Sequence, residues 1–169
     1  MFSGIEVSGP EAQGSVQETL DYLREWIEIP SRRQVLLAGN GGSAAICDHL
    51  AVDFCKFLQA RAQALTNPAM LTCIGNDYGF EYVFSKQIYW QAVDEDTITI
   101  LISSSGASPN ILRAAEEVIA LGGILITCSA FKPDNPLRAK GDINFYLPTY
   151  KYREAEVGHL ELLHSMVDV

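Results

Sequence analysis

Gln34-Val-Leu-Leu-Ala-Gly-Asn-Gly-Gly-Ser43 is an apolar, strand-like run that feeds directly into a glycine loop and a helix-compatible segment. Glycine lets a backbone approach a ligand closely, and the free amides and dipole of a helix beginning near Ser43 favour negative charge. The loop Asn40, Gly41, Gly42, Ser43 is therefore a candidate anion seat. A second loop, Ser103-Ser-Ser-Gly-Ala-Ser108, follows another apolar run, Thr97 to Ile102, and adds the hydroxyls of Ser103, Ser104, Ser105 and Ser108. A tight strand-to-helix turn without a ligand explains either loop alone. The pair, each after a strand, points to phosphate.

Two nucleotide-binding readings of the first loop fail on neighbouring residues. Gly39-Asn-Gly-Gly-Ser-Ala44 matches the dinucleotide fingerprint G-x-G-x-x-A, but no acidic residue closes the next strand-like run, Ala69 to Cys73, where a ribose partner belongs. A mononucleotide P-loop needs a lysine after its last glycine, and Ser43-Ala44 supplies none.

Outward from these loops the pattern alternates. A helix over Ser15 to Ile27 (about 15–28), with Ser15 and Glu18 placed as a capping box and Pro30 beyond its end, precedes the strand Gln34 to Ala38. There follow a helix Ser43 to Leu58, a strand Ala69 to Cys73, a helix Phe80 to Val93 and a strand Thr97 to Ile102. After these come a helix Pro109 to Leu121 with Ser108 as its cap, strands Gly123 to Cys128 and Ile143 to Leu147, and a helix Glu154 to Val167. Continuous apolar strands such as Gly122-Gly-Ile-Leu-Ile-Thr-Cys128 are those of a parallel sheet covered on both faces. The expected fold is α/β, a three-layer αβα sandwich with a doubly wound parallel sheet of about five strands, forming a single domain over residues 1–169. In such sheets ligands gather beyond the strands' carboxyl ends, where both loops lie.

Composition narrows the partners. A net charge of −9 without a lysine or arginine cluster argues against nucleic acid. No apolar run reaches membrane-spanning length, and Met1-Phe-Ser-Gly-Ile lacks the basic-then-apolar pattern of a secretory signal, so a cytoplasmic location is the default expectation. Cys47, Cys55, Cys73 and Cys128 show no C-x-x-C spacing; Cys73 and Cys128, in apolar runs, read as reduced core residues. Cys47 and Cys55 share a helix but are too far apart along it to bridge.

Taken in order, Gly39-Asn-Gly-Gly-Ser43, Gly75-Asn-Asp-Tyr-Gly-Phe80 and Ser103-Ser-Ser-Gly-Ala-Ser108 resemble the sugar isomerase (SIS) fold and, within it, the phosphoheptose isomerase group, from about Gln34 to His164. The resemblance implies aldose-ketose isomerisation of sedoheptulose 7-phosphate to a heptose 7-phosphate through an enediol. It also implies a homo-oligomer, a tetramer whose sites draw on neighbouring subunits; the shorter N-terminal region leaves a dimer open. The same group includes the initiator-associating protein of bacterial replication, similar in these loops and in Phe84-Ser-Lys-Gln-Ile88, which acts by binding another protein. The alternative function is thus a non-catalytic phosphosugar-binding or protein-binding module.

Two helices would carry the chemistry. His49 and Asp53 are four residues apart and face one way, whereas Glu156 and His164, eight apart, lie on broadly the same side of the last helix. By resemblance, the corresponding positions hold His, Glu, Gln and His around zinc, which implies His49, Asp53, Glu156 and His164 as metal ligands with Asp53 and His164 moving protons. Phosphate falls to Ser43, Ser103, Ser104, Ser105 and Ser108, and other substrate contacts fall to Asn40, Gly41, Gly42, Asn76, Asp77 and Glu156. The chain departs from the group at Asp53, one methylene shorter, and at Glu156, charged where an amide is usual. It departs again at Arg153 and at Phe57, which replace an acidic residue and an arginine; Lys56 beside Phe57 points elsewhere. His159, five residues from His164, reads as a surface or interface residue.

Overall fold

The structure, a computed structural model, describes residues 4–28 and 33–167. Pro30 and residues Met1 to Ser3 lie outside this range. The chain runs β1 (Glu6–Ser8), α1 (Val16–Glu28), β2 (Gln34–Gly39), α2 (Gly42–Phe57), β3 (Arg61–Ala64), α3 (Pro68–Asp77) and a 3-10 turn (Phe80–Tyr82). It continues with α4 (Ser85–Trp90), β4 (Thr97–Ser103), α5 (Pro109–Leu121), β5 (Ile124–Ala130), β6 (Ile143–Leu147) and α6 (Tyr152–His164). The strands form one sheet in the order β1-β6-β5-β4-β2-β3, parallel except for β1, which pairs antiparallel with β6.

Alternation along the strands builds the three layers. Val35, Leu37, Ile98, Ile100, Ile126 and Phe145 point to one face, where α1, α2 and α6 pack. Leu36, Ala38, Leu101 and Leu125 point to the other and meet Ile74, Ile88, Ile111 and Val118 from the helices of the opposite layer. Strand β4 sits inside the sheet with all seven residues buried, which is why it reads as an unbroken apolar run.

Strand order places the site. From β2 the chain steps outward to β3, then crosses back so that β4 pairs with the other side of β2. The order therefore switches between β2 and β4, whose carboxyl ends are level, with Gly39 opposite Ile102. The glycine and serine loops leave from these two ends, so they are neighbours at the switch point, where ligands of doubly wound sheets bind.

The expected α/β class and doubly wound sheet are present, with corrections at particular elements. Ala69 to Cys73 is not a strand but the middle of α3, which begins with Asn67 as cap, accepting hydrogen bonds from Ala69 and Met70 amides, and Pro68 at its first turn. A short apolar run is ambiguous in period, and the Asn-Pro start signal decides it. The strand after α2 is instead β3, whose polar sequence Arg-Ala-Gln-Ala suits an edge with alternating exposure. With β1 at the opposite edge the sheet has six strands. Cys73 consequently lies exposed on α3, its Sγ 3.6 Å from Asp77 Oδ2, rather than in the core. Phe80 to Val93 divides into the 3-10 turn and the shorter α4. Among the described residues no helix is long and apolar enough to cross a membrane.

Candidate active site

Close approach shapes the first loop. A Cβ on Gly39 would lie 2.7 Å from Ser43 Cβ and 2.8 Å from the Ser43 carbonyl carbon, so glycine alone lets the end of β2 meet the start of α2. Gly41 takes φ +56°, in the left-handed region that suits glycine, and the helix starts at Gly42. Asn40 forms a reciprocal amide pair with Asn110 of α5, Nδ2 to Oδ1 at 2.9 and 2.8 Å, which ties the glycine loop to the helix that follows the serine loop.

Backbone bonds brace the serine loop. The Gly106 amide donates to the Ser103 carbonyl at 2.9 Å, Ala130 to Ser104 at 3.0 Å, and Leu137 to Gly106 at 3.0 Å. Beneath Gly106, at φ +60°, there is no room for a side chain, because buried Asn135 fills it while donating to Ser129 Oγ at 3.1 Å and the Lys132 carbonyl at 2.8 Å. Ser108 stands at the start of α5, yet its hydroxyl caps no amide and lies 3.4 Å from Ser103 Oγ. Its position leaves that hydroxyl available to a ligand.

Between the loops is a cavity of about 150 Å³ lined by Asn40, Ser43 and the hydroxyl-bearing Ser103, Ser104, Ser105 and Ser108. Two residues of α6, Tyr152 and Glu156, complete the wall. A concave set of hydroxyls at a helix N-terminus suits a phosphoryl group, whose oxygens accept hydrogen bonds on every side.

A second centre lies further along the same two helices. Asp53 Oδ2 is 3.1 Å from both His49 Nε2 and His164 Nε2. The imidazole rings are nearly parallel, 7° apart in plane with centroids separated by 5.5 Å. Asp53 is buried while His49 remains open to solvent, so the shared carboxylate sits at the floor of the group. One donor atom from each of the three residues lies within 4.8 Å of the others. Imidazole nitrogen and carboxylate oxygen are the donors zinc accepts, and three protein ligands leave a position for substrate, so these residues fit such an ion.

Glu156, expected as the fourth ligand, does not join the group. Its carboxylate lies over Gly42 at the start of α2; a Cβ there would be 2.5 Å from Glu156 Cδ. Because Glu156 meets Gly42 and His164 meets Asp53, α6 runs alongside α2 in the same direction. The hydroxyl cavity and the histidine cluster are separated by the eight-residue step from Glu156 to His164, roughly 12 Å of helix.

Other expected residues are placed elsewhere. Asn76 and Asp77 are exposed at the end of α3, hydrogen-bonded to each other at 2.7 Å, and do not line the cavity. His159 is not at the surface: it is 1 % exposed on the buried side of α6, with Nε2 3.2 Å from the Ser129 carbonyl, and burial depresses its pKa to about 4. Five residues along a helix do turn the side chain away from the His164 side, but toward the sheet rather than toward the surface or an interface. Phe57 is exposed, and Lys56, expected to point elsewhere, instead folds its flexible side chain back so that Nζ lies 4.6 Å above the Phe57 ring. Asn110, Asn135 and Tyr152 did not emerge from the sequence. Asn110, directly after the Pro109 that opens α5, was the one accessible signal, being an amide at a helix start beside the ligand loop.

Residues 26–129 match the SIS domain family. The phosphoheptose isomerase of Trichlorobacter lovleyi is 33 % identical over 165 residues, 94 % of this chain and 82 % of that protein. The phosphoheptose isomerase of Burkholderia pseudomallei strain K96243 is 42 % identical over 140 residues, 78 % of this chain and 68 % of that one. Among solved structures, the phosphoheptose isomerase of Neisseria gonorrhoeae superposes with a TM-score of 0.81 at 28 % identity, over 90 % of this chain and 83 % of that one. That of Francisella tularensis gives 0.80 at 26 % identity, over 92 % and 86 %.

Proposed function

The chain belongs to the SIS domain family, in its phosphoheptose isomerase group, and we propose that it is a phosphosugar isomerase interconverting sedoheptulose 7-phosphate and a heptose 7-phosphate through an enediol. The observation that carries this reading is the single Asp53 oxygen held 3.1 Å from two imidazole nitrogens, on the same helix pair as the hydroxyl cavity. A phosphate seated among Ser43, Ser103, Ser104, Ser105 and Ser108 would leave the carbon chain running along the α2–α6 seam toward that cluster. Binding energy at the remote phosphate then holds the reacting carbons in place.

Isomerisation needs a base for the proton alpha to the carbonyl, an acid for the carbonyl oxygen and a positive field for the enediolate. Asp53 is the base: its buried carboxylate takes the proton from one carbon, exchanges it with solvent while the enediol persists, and delivers a proton to the next. His164, whose Nε2 lies 3.1 Å from Asp53 Oδ2, exchanges a proton with the sugar oxygen through the ring nitrogen that does not hold a metal. Zinc held by His49, Asp53 and His164 would polarise the substrate oxygens. Asn40 is held by Asn110 with its amide at the cavity wall, where it can meet a sugar hydroxyl.

Assembly into a homo-oligomer, with a tetramer or dimer as the candidates, gives Asn76 and Asp77 a role, since they stand exposed beside Tyr78 and Phe80 and could reach a neighbouring subunit's substrate. Four unpaired cysteines are in keeping with a cytoplasmic protein.

The test is isomerase turnover of wild type and Asp53→Glu side by side, with zinc. A carboxylate one methylene short is retracted by roughly an ångström, which can cost about a hundredfold in rate. Measurable activity in the wild type, raised by Asp53→Glu, is the expected result. No turnover in either protein, with sugar phosphate still bound, would replace the isomerase by a binding module.

A further inference from the structure

Every hydrogen-bond donor in the wall at the phosphate end is neutral, and the one charged residue there is an anion, which can only accept. Among the described residues the cavity wall contains no lysine, arginine or histidine; its single charged member is Glu156. The carboxylate is half-buried and packed on Gly42, where the glycine leaves it space that any other residue would close. It therefore lies against the first turn of α2, in the region where an anion gains most from free amides and the helix dipole. A phosphoryl group entering beside Ser43 and Ser103 meets a negative charge with no cation among the described residues of the wall.

We propose that Glu156 sets an affinity threshold at this site, its carboxylate opposing every phosphoryl group in the seat, so that anions whose contacts end there bind weakly. Inorganic phosphate and short phosphorylated compounds gain only the serine and amide hydrogen bonds, and these are opposed by the charge. A sugar phosphate long enough to reach Asp53 and the two histidines gains contacts beyond the repulsion. Glu156 thus keeps the seat free of small phosphates while long phosphorylated sugars still bind. The inference rests on the proposed phosphate seat and deepens it by naming what the site rejects.

The experiment measures inorganic phosphate and sedoheptulose 7-phosphate by calorimetry on wild type and Glu156→Gln, with a thermal melt to confirm folding. Two unit charges roughly 5 Å apart, in surroundings between bulk water and a protein surface, change affinity by about tenfold. Glu156→Gln should bind inorganic phosphate about tenfold more tightly than wild type. That gain should shrink between about 10 mM and about 1 M salt as the screening length falls. Glu156→Ala, which removes the carboxylate without the amide that Gln would introduce, should shift in the same direction. Unchanged or weaker phosphate binding by folded Glu156→Gln overturns the role of Glu156. Wild-type binding of sedoheptulose 7-phosphate against its unphosphorylated sugar reports on the seat separately. Equal affinity for those two overturns the phosphate seat itself, and the inference with it.

Discussion

His159 gives the protein a pH-dependent stability that can be calculated from its surroundings. The ring is 1 % exposed, its Nε2 donates to the Ser129 carbonyl at 3.2 Å, and its Nδ1 has no partner among the described residues. Burial favours the neutral form and depresses the pKa from 6.5 to about 4. A histidine depressed by folding contributes stability that is complete above the unfolded pKa and lost as pH falls through the folded one. Between pH 7 and pH 4 the loss is about 3 kcal/mol from this group alone, equivalent to a fall in Tm of roughly 6–12 °C for a chain of this size. Glu154, lowered by Lys151 and Thr149, adds a loss in the same direction, but only as pH drops through the carboxylate range. The interval from pH 6.5 to 5 lies above the carboxylate range, and subtracting the His159→Gln profile cancels what His49, His164 and other groups contribute. Urea unfolding across that interval, on wild type and on His159→Gln, which keeps an N–H donor but cannot titrate, is the assay. The difference between the two should fall steadily with pH. Parallel pH profiles would refute the reasoning.

Three shorter predictions concern the site. Gly39→Ala puts a methyl group against Ser43 backbone that cannot move without shifting α2, so a loss of about 1–3 kcal/mol is expected, read as a lower urea midpoint with unchanged slope. Asn110→Leu leaves Asn40 without its partner at a cost of about 1–3 kcal/mol, and calorimetry should find sugar phosphate bound more weakly. His49→Ala removes one of the three clustered donors; zinc content after dialysis should fall well below wild type, and full occupancy would remove the metal site as drawn.

What the sequence disclosed follows physical lines. The two ligand loops, the buried strands β2, β4 and β5 and the helices α1, α2 and α5 were legible because glycine, proline and unbroken apolar runs carry strong local signals. Edge strands β1 and β3 were not, since Glu6-Val-Ser8 and Arg61-Ala-Gln-Ala64 are short and half exposed, with pairing supplied by the neighbouring strand. Helix α3 was lost because Ala69-Met-Leu-Thr-Cys73 fits either period over so few residues. At the site, the His49–Asp53 pair is a helical spacing and could be read directly; its meeting with His164 depends on how α6 packs on α2, which no local pattern encodes. The same packing sends Glu156 to Gly42, apart from the cluster that the resemblance implied for it, and His159 to the sheet, which spacing had read as surface or interface.

Solvent exchange during turnover tests the central claim most directly. If Asp53 moves a proton between adjacent carbons through an enediol, wild-type protein supplied with zinc and sedoheptulose 7-phosphate in heavy water should form heptose 7-phosphate. Deuterium should appear in the product at the carbon that receives the proton, detectable by NMR and absent with Asp53→Asn. Bound but unexchanged and unconverted sugar phosphate would contradict the account.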